Sequence, residues 1–108
     1  MALTPKPPQT YESFIKRFPK LKEAWEQIAE AGREGPLDER TVRIVKLAIA
    51  IGAQKEGAVH ASIRKALSIN ISLKEIEQVI SIAAGTIGLP STVAVYSWMK
   101  DVLRGKRK

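Results

Sequence analysis

Apolar residues along this chain recur at three- and four-residue intervals, in runs separated by Gly, Pro or capping residues. After the proline-rich MALTPKPPQ, in which nothing favours regular structure, Thr10 is placed to cap a short apolar-flanked segment from Tyr11 to Phe18. Pro19 suits the first turn of a helix through LKEAWEQIAEAG, where Leu21, Ala24, Trp25, Ile28 and Ala29 share a face. Gly32 and the Gly35-Pro36 pair end it. Asp38 is the cap expected for ERTVRIVKLAIAIGA. A further helix covers roughly 55–67, and Asn70 is placed to take a left-handed turn after it. SLKE at 72–75 has the form of a capping box, with Ile71 stapled onto Ile76. The helix behind it turns Ile76, Val79, Ile80, Ala83 and Ile87 inward, and Gly88 breaks it. Pro90 then opens STVAVYSWMKDVL. No strand-length alternation or hairpin turn competes with this pattern. The fold class is all-α, a bundle of five to six short helices.

One segment strains that picture. LAIAI at 47–51 is apolar on every side, and a helix without a wet face must be wrapped by neighbours. Five or six short helices barely enclose it, so a subunit boundary is expected to help. The same segment is far too short to cross a membrane, and the N-terminus has no secretory pattern. A cytoplasmic location is the default expectation. Residues 1–9 read as a flexible leader, 10–103 as a single helical domain and 104–108 as a basic tail.

Composition narrows the chemistry. There is no cysteine, which excludes disulfides, thiolate metal ligands and thiol nucleophiles in this chain. Of the net charge of +7, four units sit in Arg104, Lys106, Arg107 and Lys108, and the rest of the chain is close to balanced. A basic tail can touch phosphates, but the body shows no basic-aromatic stripe and no recognition helix. Nucleic acid is not an expected partner.

The reactive groups that remain centre on GAQKEGAVHASIRKAL, where the chain's one histidine, His60, follows Glu56 by a helical turn. A carboxylate beside an imidazole fixes its tautomer and raises its basicity, which is how a general acid or base is prepared. Arg64 continues the row, and Lys55 lies just before it. These two are the cations expected to hold a small anionic substrate. A metal is not expected, since the spacing offers two side-chain ligands and no second histidine. No nucleophile elbow or phosphate loop is present, and no cofactor is expected.

PLDERTVRIVKLAIAIGAQKEGAVHASIRKAL, followed by SLKEIEQVISIAAGTIGLPSTVAVY, resembles the carboxymuconolactone decarboxylase-like family, which includes the alkylhydroperoxidase AhpD-like proteins. The resemblance spans about residues 36–96. It implies an AhpD-like helical bundle whose helices pack across subunits, as a trimer or hexamer. Peroxidase members use a Cys-x-x-Cys pair ahead of a histidine. Aligned on His60, those cysteines fall at Ala53 and Glu56, and the glutamate of their relay falls at Thr41, so no thiol peroxidase activity is expected. The decarboxylase branch, with its Glu-x-x-x-His arrangement, resembles this chain better. It implies His60, assisted by Glu56, as an acid or base on a small carboxylated or lactone substrate. The chain departs from the family at Ile69-Asn70-Ile71, where a glycine-containing turn is more usual. Two readings stand at this level: a cofactor-free lyase of that kind, or a non-catalytic helical oligomer in which Glu56 and His60 form a structural pair and the role is binding.

Overall fold

Six helices follow one another without a strand among residues 9–105, the part of the chain that the computed structural model describes. They are α1 (Gln9–Arg17), α2 (Pro19–Ala31), α3 (Glu39–Ala53), α4 (Glu56–Ser68), α5 (Leu73–Ile87) and α6 (Leu89–Leu103). The expected leader, apart from Gln9, and the expected tail, apart from Arg104 and Gly105, lie outside the described residues. Thr10 does not cap α1: the helix starts one residue earlier, at Gln9, so Thr10 sits in its first turn.

The helix boundaries follow local chemistry. The Asp38 side chain accepts from the Thr41 amide at 2.7 Å, closing the N-terminus of α3. At α5 both halves of the capping box are made. Ser72 Oγ accepts from the Glu75 amide at 3.1 Å, and the Glu75 carboxylate accepts from the Ser72 amide at 2.8 Å. Asn70 adopts φ 67°, the left-handed conformation, and so takes the part that glycine plays in such turns. Gln54 does the same just after α3, which ends at Ala53 as the sequence pattern expected.

Helices α3 to α6 form the body. α3 packs on α4 and α5, and α6 packs on the same two. Leu47, Ile51, Val59, Ile63, Ile76, Val95 and Met99 are among the residues that fill the space between them. Ile71 and Ile76, the two ends of the expected staple, both enter this core. Val79, Ala83 and Ile87 of α5 pack at its margin.

The first two helices behave differently. α1 and α2 pack principally on each other, with Phe14 and Phe18 rings 5.2 Å apart, and neither helix buries a residue. The apolar face expected of α2 exists as a face but not as a core: Leu21 and Ile28 are exposed, and Trp25 is 52% exposed. This arm, standing off the body, makes the radius of gyration 14.3 Å, against ~13 Å for a compact domain of this length. The body also leaves apolar residues in solvent. Ile49, in the LAIAI run, is 64% exposed while Leu47, Ala50 and Ile51 are buried.

Candidate functional site

Helix α4 carries most of the polar groups that the sequence singled out. It is gripped on two sides, by α3 and by α6, so the flank holding His60 is turned into the body. His60 is 2% exposed. Glu56 lies one turn earlier on the same flank, with its Oε2 3.6 Å from His60 Nε2, a charge-pairing distance longer than a hydrogen bond. Its side chain keeps 32% of its exposure. The cluster therefore has a closed imidazole and a half-open carboxylate.

Helix α6 adds a residue that sequence reasoning missed. Its buried stripe of Val95, Met99 and Val102 seats it on the core, and Asp101 follows on the half-buried flank that meets α4. One ligand atom each from Glu56, His60 and Asp101 lies within 4.8 Å of the others. No spacing rule links Asp101 to His60, since they come together through helix packing alone. The nearest signal in the sequence is that Asp101 is the one acidic residue of the final helix.

The other two expected residues are placed less centrally. Arg64 is one turn beyond His60 on α4 and is buried at 9% exposure. Lys55 is the N-cap residue of α4, exposed, with no side-chain capping bond.

Chemically, an imidazole between two carboxylates can hold, accept or release a proton, and the carboxylates can pass that proton to the accessible side. The same three groups form a His-plus-two-carboxylate donor set, the kind that binds a borderline divalent ion such as Zn²⁺ with positions left for water or substrate. The sequence offered two such side chains and no metal was expected from it; Asp101 adds a third donor.

Compared with known proteins, residues 19–101 match the Carboxymuconolactone decarboxylase family. Among solved structures, the fold is similar to that of an apo carboxymuconolactone decarboxylase family protein from Legionella pneumophila. The TM-score is 0.75 at 19% identity, over 92% of this chain and 89% of that one. Curated proteins give no match.

Proposed function

Because the chain belongs to the carboxymuconolactone decarboxylase family, we propose that it is a homo-oligomeric acid–base protein acting on a small carboxylated or lactone substrate. His60 is the proton-transfer group. The observation that carries this reading is the convergence of Glu56 and Asp101 on His60 from two different helices. On a carboxylated substrate, the bond between the carboxylate carbon and its neighbour breaks, carbon dioxide leaves, and the electron pair stays with that neighbouring carbon or a carbonyl group joined to it. A proton must then reach carbon, and His60 is the donor the cluster provides. The half-exposed side of Glu56 is the edge from which substrate approaches. Arg64 and Lys55 supply positive charge for the substrate anion. The chain has no cysteine, so peroxide reduction by a thiol pair forms no part of the proposal.

The deciding experiment combines binding and turnover. Small carboxylates and carboxylated lactones are added while the His60 imidazole resonances are followed by NMR, and carbon dioxide release is measured on each compound that shifts them. One class is expected to shift the ring and to turn over. His60→Gln should reduce that turnover by about 10²–10⁴-fold in a protein that still folds, with any loss of Tm too small to account for it. Prior treatment with EDTA should leave the rate unchanged, whereas its loss would move the chemistry to a metal held by the three groups. The burial of His60 favours one alternative, a structural Glu56–His60 pair in an oligomer whose role is binding. That reading holds if no compound moves the imidazole and His60→Gln affects only stability.

A further inference from the structure

A second polar site lies away from the histidine, at the corner where the α2–α3 connection, the first half of α3 and the end of α4 meet. A cavity of about 330 Å³ opens there, at the small end of the ~300–1,000 Å³ range of small-molecule sites. Its lining includes Arg33, Arg43, Lys46 and Lys65, opposed by the carboxylate of Glu39. Lys65 is five residues beyond His60 on the same helix, about 140° around its axis, so the two sites use different faces of α4.

The cations converge without being neutralised. None of the four forms an ion pair with a carboxylate among the described residues. Glu39 lies near enough to Arg43 to be felt electrostatically, yet it balances only one of the four charges. The consequence shows in the lysines. Partial loss of solvent at the cavity wall, and after it the neighbouring cations, lower the pKa of Lys46 and Lys65, although Lys65 stays exposed; Arg43 and Arg33 act on Lys46, and Arg43, Lys46 and Arg64 act on Lys65. Burial also lowers Arg43. Like charges gathered around a cavity repel one another in the empty protein, and an anion placed between them removes that repulsion and gains charge-assisted hydrogen bonds. The Ser68 hydroxyl in the lining donates to the Lys65 carbonyl at 2.6 Å, so its proton is already engaged and the cations are the donors left facing the cavity.

We propose that this cavity binds a compact, multiply charged oxyanion, either a phosphate-bearing metabolite or a polycarboxylate, between Arg43, Lys46, Lys65 and Arg33. The two guanidinium groups offer planar forks that match two oxygens of either group, and the two ammonium groups act as point charges. A monoanion leaves most of the charge unbalanced, so affinity rises with ligand charge. The cluster comes from three separate segments of chain, which is why no basic run marks it in the sequence.

The test is calorimetric titration of the full chain with inorganic pyrophosphate, with citrate and with acetate, at about 0.15 M ionic strength, where exposed charges are screened beyond ~8 Å. Pyrophosphate or citrate is expected to bind at one site per chain, and acetate is not. Stronger binding of pyrophosphate assigns a phosphate ligand; stronger binding of citrate assigns a polycarboxylate. Lys46→Gln and Lys65→Gln should each weaken binding by about tenfold, and should raise Tm in the absence of ligand, because each relieves repulsion. Two controls separate this site from others. His60→Gln should bind as the wild type does, whatever the fate of the decarboxylase reading. A chain ending at Gly105, without Lys106, Arg107 and Lys108, should bind unchanged. The proposal is overturned if neither polyanion binds, if shortening the tail abolishes binding, or if the Lys46 and Lys65 variants titrate like the wild type.

Discussion

His60 and Glu56 were visible in the sequence because a helix places residues four apart on one flank, and that rule needs no knowledge of the fold. Asp101 was not visible, because its approach to them depends on how α6 crosses α4. It is the residue whose replacement best separates a working cluster from a structural pair. Asp101→Asn keeps the volume and removes one charge, so turnover on the substrate found by titration should fall about tenfold or more with Tm nearly unchanged. Equal rates in variant and wild type would remove Asp101 from the reaction. Asn70 gives a second argument at this scale. Its left-handed φ of 67° is a conformation that glycine adopts freely and asparagine tolerates. Asn70→Gly should be neutral or slightly stabilising, whereas Asn70→Val should cost about 1–2 kcal/mol in denaturant unfolding. Equal stability of the two variants would mean the turn rearranges.

Helix ends were the most legible features at the next scale. Asp38 and the Ser72–Glu75 box act within four residues, and local spacing decides them. What the sequence could not show is that Glu75 also bonds Arg40 at the start of α3, so that one carboxylate caps α5 and ties it to its neighbour. The Arg40 bond, followed by the Ser72 backbone and side-chain bonds, lowers the Glu75 pKa from 4.5 to about 2. A carboxylate with a lowered folded pKa contributes stability above its unfolded pKa and loses it as pH falls toward the folded value. Gln at position 75 keeps one oxygen for the cap and puts an amide group in place of the oxygen that accepts from Arg40, so it removes the charge together with that bond. Glu75→Gln should therefore lower Tm near neutral pH, and the gap to wild type should close between about pH 4.5 and 2. A gap that persists in acid would assign the loss to the cap instead of the charge. In the body of the helices, the apolar period located the core of α5 correctly, and Ile63→Ala in the middle of α4 should cost about 2–5 kcal/mol.

The same apolar period found the shared face of α2 but not its exposure, and the reason belongs to the whole molecule. Periodicity reports that a face is apolar; it does not report what covers it. Leu21, Trp25 and Ile28 on the arm are exposed in the single chain, as are Ile49, Ile82 and Val93 on the body. Solvated monomers rarely present so many large apolar groups together, because each loses the favourable transfer from water. The excess apolar character of residues 47–51 pointed to this surplus, and Ile49 is where it emerges. A second copy of the chain is the cover that the proposed homo-oligomer supplies. Light scattering should then give a mass that is a multiple of 11.9 kDa. Trp25→Glu combined with Ile28→Glu should shift it toward the monomer while the helical circular dichroism of the body is retained, since neither residue enters the core. A monomeric wild type, or a double variant with unaltered mass, would remove the arm from assembly. The dissociated variant also tests how the histidine cluster works. If turnover survives dissociation, the half-open edge at Glu56 is sufficient for substrate. If it disappears while the fold persists, a neighbouring copy completes the site.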